Sequence, residues 1–270
     1  MATSASTPGR PNEDFVGAVP GAAVLLDGAG IPGTESMCRH GVAWYTRRLG
    51  GALLGRLSAG DGQDLTGILA DAIAQVAGEH RHTCDITNPS SPQATVMMLR
   101  VDGDRADFAA LADSFLILDR AGGLPKVITD QRETGVRRQC SQVLDGVAEG
   151  TPGYHRARQV YIEALRARRN QPGGYWIAKD DPGVAAQALT GSEPVSELAG
   201  AALLSNGASR IVDPYRLADW PDVLNLLRTK GPAELIRLVR AAEAGRSGQG
   251  LPPGAKASDD ATAAYCTSFG

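Results

Sequence analysis

Short polar motifs stand at the ends of apolar runs along the whole length of this chain, and they constrain its fold more than any other feature. Asp27-Gly28 follows the apolar run Ala22–Leu26, and Ser205-Asn206-Gly207 follows the run 199–204. Asn12-Glu13-Asp14 precedes a strand-like segment near the start, and Asp259-Asp260-Ala261-Thr262 opens the last apolar stretch. Strand ends of a rigid sheet can hold several carboxylates at fixed distances. Carboxylates held together repel unless protons or cations neutralise them, and hard oxygen ligands suit Mg²⁺ or Mn²⁺. The pattern therefore points to a hydrolytic site with bound divalent metals. Motifs at both ends would have to converge, which favours a single domain over residues 12–270 after a flexible lead-in of residues 1–11.

Periodicity supplies the elements between the motifs. Strand-like runs at 14–19 and 22–26 flank the turn signal Pro20-Gly21. Apolar residues at helical spacing follow over 36–58 and 64–79, the second with Leu65, Ile68, Leu69, Ala72, Ile73 and Val76 on one face. Strands are expected at 93–101, 105–110, 114–118 and 126–129, and helices at 132–147 and 154–169. Strands at 175–177, 185–189 and 199–204 come next, then helices at 217–228 and 232–244. A flexible Gly/Ser/Pro segment over 245–255 leads to a last strand at 261–266. Pairs of helices between groups of strands argue against regular βαβ alternation. The expected architecture is α+β, a four-layer α/β/β/α sandwich of two mostly antiparallel sheets flanked by helices.

The bulk numbers exclude several classes. A chain of 270 residues with 43% hydrophobic and 21% charged residues has the composition of an ordinary globular protein. Net charge is -3, so there is no basic footprint for nucleic acid. No apolar run approaches the roughly 20 residues that span a bilayer, and the first residues lack the basic and apolar regions of a signal peptide. Cys38, Cys84, Cys140 and Cys266 show no Cys-x-x-Cys spacing and read as free thiols in a reducing cytoplasm. Enrichment in Ala and Gly, with many Arg and few Lys, points to a high-GC bacterial origin.

Five motifs taken in order carry a resemblance. They are Asn12-Glu13-Asp14, Leu26-Asp27-Gly28-Ala29-Gly30, Ala112-Asp113-Ser114, Leu204-Ser205-Asn206-Gly207 and Ser258-Asp259-Asp260-Ala261-Thr262. Each is weak alone, but the set in this order resembles the metal-dependent serine/threonine phosphatases of type 2C (the PPM family) over nearly the whole chain. The resemblance implies that Glu13 and Asp27, with the backbone carbonyl of Gly28, hold one Mg²⁺ or Mn²⁺. Asp27 would bridge to a second ion held also by Asp259, and Asp113 matches the position for a loosely held third. Asp14 would orient metal-bound water. Two cations about 4 Å apart can stabilise the attacking and leaving oxygens of an in-line displacement and activate the water between them. No Ser or Cys nucleophile is then needed.

Two departures stand out. The family has a metal-binding Asp where this chain has Asn206, whose amide oxygen can ligate but carries no charge. A naturally weakened enzyme, a pseudophosphatase and a chain deliberately substituted to trap an inactive state all fit that change. The family's phosphate-binding Arg lies four residues before the Glu, whereas Arg10 lies three before Glu13, with Pro11 between. The implied function is hydrolysis of phosphoserine or phosphothreonine monoesters. Alternatives are an impaired phosphatase-fold protein that binds a phosphorylated partner, and a phosphatase of a small phosphorylated metabolite.

The remaining motifs have plainer readings. His80 and His82 flank Arg81 and fit a polar loop after a helix better than a metal clip, since no Cys or carboxylate pattern supports zinc. His40 and His155 stand isolated. The arginines of 156–169 fit a solvated helix face, and the stretch 132–169 is a plausible place for substrate selection. Trp176 and Trp220 read as packing residues. Gly28, Gly30 and Gly33 lack the helix and acidic follower of a dinucleotide loop.

Overall fold

The computed structural model describes residues 1–30, 38–246 and 257–267. The strands are β1 (Ala2–Ser4), β2 (Phe15–Val19), β3 (Ala22–Leu26), β4 (Gly28–Ala29), β5 (Gln93–Ala94), β6 (Val96–Asp102), β7 (Arg105–Leu111), β8 (Phe115–Arg120), β9 (Lys126–Ile128), β10 (Leu189–Pro194), β11 (Leu198–Leu204) and β12 (Ala261–Cys266). The α-helices are α1 (Val42–Ala59), α2 (Leu65–His80), α3 (Arg132–Cys140), α4 (Pro152–Arg168), α5 (Asn206–Ser209), α6 (Trp220–Lys230) and α7 (Pro232–Arg246). One sheet runs β1-β12-β11-β8-β9 and the other β10-β7-β6-β3-β2, with every pairing antiparallel.

Alternation along the strands builds the layers. Leu25 and Leu99 face inward and meet Leu116, Leu118 and Leu203 of the opposite sheet. Their neighbours Val24, Leu26 and Met98 face outward, under Leu49 and Leu53 of α1 and Ile68, Leu69 and Ile73 of α2. On the far side Ile117, Ala202, Leu204 and Ala263 lie under Val223 and Leu227 of α6 and Leu235 and Val239 of α7. Each fully buried Leu or Ile contributes on the order of 1.5–3 kcal/mol. The four-layer α/β/β/α arrangement expected from the element order is the observed one. A smaller cluster, with Val136, Tyr161 and Leu165, joins α3 to α4.

Local chemistry sets the helix ends. Asp64 caps α2 by accepting from the Gly67 amide at 2.6 Å. Asp219 and Asp222 form a capping box at the start of α6, with Pro221 in its first turn. Gly231 ends that helix at a φ of 84°, a conformation costly for other residues.

Four expectations need correction. The first residues are not an unstructured lead-in, because β1 covers the edge of β12 and satisfies backbone groups that an edge strand would leave open. No strand forms at 175–177: the Asn170 side chain accepts from the Ile177 amide at 2.8 Å and donates to its carbonyl at 3.1 Å, serving both groups that a ladder would pair. The strand expected at 185–189 starts later, at Leu189, because Asp181 and Pro182 open a 3₁₀ turn over Pro182–Gln187. The helix expected over 132–147 ends at Cys140 and tightens into 3₁₀ geometry over Ser141–Leu144. Of the segment 245–255, Gly245 and Arg246 belong to α7 and the rest lies outside the described residues, as does Gly33.

Candidate metal centre

Strand register brings the separated motifs to one edge of the sandwich. Phe15 pairs with Leu26, so Asp14 at the entry to β2 sits beside Asp27 at the exit of β3. Leu204 pairs with both Ala263 and Phe115, so Asn206 after β11 lies near Asp259 before β12 and Asp113 before β8. Two hydroxyls connect the sheets beneath this edge. Thr95 Oγ1 accepts from the Asp27 amide at 3.1 Å and lies 2.6 Å from Ser114 Oγ.

The contacts among these residues are specific. The Asn206 amide donates to Asp27 Oδ2 at 2.9 Å, and its side-chain Nδ2 donates to Asp113 Oδ2 at 2.8 Å. Asp260, next to Asp259, accepts from the Glu13 amide at 2.7 Å and from the Ser6 amide at 2.7 Å, which holds the Glu13 backbone in place. Gly28 must be glycine: a Cβ there would lie 2.3 Å from the Glu13 carbonyl oxygen. Gly207 is tighter still, with the Asp260 carbonyl oxygen 1.9 Å from a Cβ position. Ala112 holds a φ of 66° directly before Asp113, a left-handed conformation that turns the chain into the site. Arg10 is exposed, at the start of the segment leading to Glu13.

The electrostatics are those of a cation site. Asp14 is buried and raised to about 7, mainly by desolvation, with Asp260 and Asp259 adding repulsion. Neither Asp14 oxygen makes a hydrogen bond of good geometry, although the nearby Thr262 and Ser205 hydroxyls favour its charged form. Asp27 keeps a little accessible surface, but the protein packed around its carboxyl group desolvates it. Burial, then Asp14, Asp259 and Asp113, push it well above the carboxylate range. Asp113 is raised to about 7 by burial and by Glu133, offset by Arg137 and the Asn206 amide. Desolvated acids that repel one another, with Asp14 left without a well-placed donor among the described residues, match the donor set of a hard divalent cation. The residues present therefore fit such ions.

Several participants carry no signal in the sequence. Arg210 is buried one turn after Asn206, its Nη2 3.2 Å from Asp259 Oδ2 and its Nη1 3.4 Å from Glu243 Oε1. Glu243 of α7 also accepts from Arg240 and from Ser258, and Arg240 donates to the Asp259 carbonyl at 2.7 Å. Only the packing of α7 on β12 reveals this brace. Two other expectations change. His40 is not isolated, and His80 does not lie in a polar loop but ends α2: Cys84 Sγ lies 3.3 Å from His40 Nδ1, and Cys38 Sγ lies 3.7 Å from His80 Nδ1. His80 is buried and turned away from exposed His82.

No protein-family model matches the chain, and no curated protein sequence matches it. Solved structures do. The Mycobacterium tuberculosis serine/threonine phosphatase PstP/Ppp aligns at 17% identity with a TM-score of 0.59, over 98% of this chain and 96% of that one. A structure of the catalytic domain of PstP in complex with two manganese ions aligns at 17% identity and a TM-score of 0.59, covering 98% and 95%. The phosphatase Stp1 from Staphylococcus aureus aligns at 15% identity with a TM-score of 0.60, covering 100% and 94%. Likeness at these identities speaks to the fold, and the fold of this chain is the one seen in bacterial PPM-type serine/threonine phosphatases.

Proposed function

We propose that this protein is a metal-dependent phosphatase of phosphoserine and phosphothreonine monoesters, weakened by Asn206. The observation that carries the reading is the cluster of Asp14, Asp27, Asp113 and Asp259 at one edge of the sandwich, the first three desolvated and their like charges repelling. Two bound Mg²⁺ or Mn²⁺ ions would supply charge stabilisation on a phosphoryl group and a reactive water at neutral pH. Glu13, Asp27 and the Gly28 carbonyl would hold one ion, and Asp27, Asp259 and the Asn206 amide oxygen the other. Asp113 would hold a weaker third, and Asp14 would fix the orientation of bound water. Exposed Arg10 would meet the phosphate of the substrate with paired N–H donors.

One pair of observations favours a second reading, an impaired phosphatase fold that binds a phosphorylated partner. Asn206 gives a hydrogen to Asp113 where a carboxylate would add charge, and Arg210 already neutralises Asp259. Both reduce the site's need for a second cation. The free thiols, none of them in a disulfide among the described residues, support a reducing cytoplasmic location. No helix among those residues is long and apolar enough to cross a membrane.

Hydrolysis of p-nitrophenyl phosphate and of a phosphothreonine peptide against Mn²⁺ concentration tests the proposal. Asn206→Asp is expected to raise the rate by about 10–100-fold, the range over which neighbouring groups tune metal sites. Asp27→Ala in that background should abolish it. Absence of hydrolysis by both chains at saturating Mn²⁺ would sink the enzyme reading in favour of the binding one.

A further inference from the structure

A second cluster, chemically unlike the first, lies where the entry of α1 meets the exit of α2. Cys38 and His40 precede α1, His80 is the last residue of α2, and Cys84 follows in the turn after it. One ligand atom from each of the four lies within 4.8 Å of the others. Cys38 Sγ is 3.8 Å from His40 Nδ1 and 3.7 Å from His80 Nδ1, and Cys84 Sγ is 3.3 Å from His40 Nδ1. A tetrahedral ion with metal–sulfur distances of about 2.3 Å and metal–nitrogen distances of about 2.0 Å separates S from N by about 3.6 Å. The three distances bracket that value.

We propose that Cys38, His40, His80 and Cys84 form a closed structural site for one Zn²⁺. Two thiolates and two neutral imidazoles balance the ion's charge, which suits a site where Cys38 and His80 are each 3% exposed. Among the described residues no carboxylate belongs to the cluster, so its ligands favour soft and borderline ions over Mg²⁺ and Mn²⁺. Both histidines present Nδ1 to the centre. Their rings are held by aromatic neighbours: His40 stacks on Trp44 at 4.4 Å between ring centroids, and His80 lies 5.1 Å from the same ring.

The ion ties the entry of α1 to the exit of α2. Val42, the first residue of α1, packs against the glycines that follow Asp27: Cβ positions at Gly28 and Gly30 fall 2.7 and 2.5 Å from its methyl carbons. A zinc clip two residues earlier would hold Val42 against that turn and so brace the acidic cluster from behind. The inference does not depend on phosphatase activity.

Elemental analysis of the full chain, produced in zinc-supplemented medium and purified without chelator, tests the site directly. About one zinc per chain is expected, falling at least tenfold in Cys38→Ser/Cys84→Ser. Cys84→His, which keeps a ligand, should retain most of it. Cobalt added to metal-stripped protein should give intense tetrahedral ligand-field bands with thiolate charge transfer, and Asp27→Asn should keep those bands because its change lies in the acidic cluster. The wild-type cobalt spectrum decides the matter even where the double variant fails to fold. Wild-type protein without zinc and with only a weak octahedral cobalt spectrum would overturn the proposal, as would a Cys38–Cys84 disulfide in protein purified under reducing conditions.

Discussion

Single residues at this site do two kinds of work, supplying charge and letting backbones approach. Gly207 belongs to the second kind, since the Asp260 carbonyl leaves no room for a methyl group. Gly207→Ala must push α5 away from β12 and should cost about 2–3 kcal/mol or more, read as a lower denaturation midpoint at unchanged slope. Gly51 in α1 is the counter-case: nothing lies within 4 Å of its Cβ position, so Gly51→Ala should add about 0.5–1 kcal/mol. The acidic motifs were legible because their residue types carry their chemistry. Arg210 was not, because a lone arginine after a strand has no pattern to distinguish a buried ion pair from a solvated side chain.

At the scale of elements, α7 is the part whose importance periodicity understates. Its spacing predicts a covering helix, and Leu235 and Val239 do cover the sheet. Yet Glu243 on the same helix, 9% exposed, gathers Arg210, Arg240 and Ser258 and so sets the position of the Asp259 loop. Glu243→Ala leaves Arg210 buried with one fewer carboxylate and should destabilise by about 3–5 kcal/mol in denaturant unfolding. Glu234→Ala, which breaks an exposed pair with Arg237 on the same helix, should leave the midpoint where it is. The strand positions that failed, 175–177 and 185–189, failed because side chains of Asn170 and Asp181 took over backbone partners.

For the molecule as a whole, the opposed carboxylates tie stability to pH. Asp14 and Asp113 titrate near 7 in the folded protein, against 3.8 for an ordinary aspartate, and Asp27 is displaced in the same direction. Between those values the folded state keeps protons that the unfolded chain has released. Metal-free protein should therefore lose stability as pH rises from about 4 to above 7, most steeply in the middle of that window, where the unfolded chain has released its protons and the folded one still holds them. Thermal melts across that range check the slope. Mn²⁺ at about a hundred times its dissociation constant should restore about 2.7 kcal/mol at pH 8, and a melt that ignores both pH and Mn²⁺ would contradict the cation site. The sequence by itself determined the layers and the acidic edge, because period-two and period-3.6 burial and the charge of short motifs are local properties that each segment displays alone. Tertiary structure alone decided the rest: which atom of Asn206 meets Asp113, that Arg210 neutralises Asp259, and that Cys38, His40, His80 and Cys84 share one centre. Those depend on distances between residues tens of positions apart, which only strand register and helix packing can set.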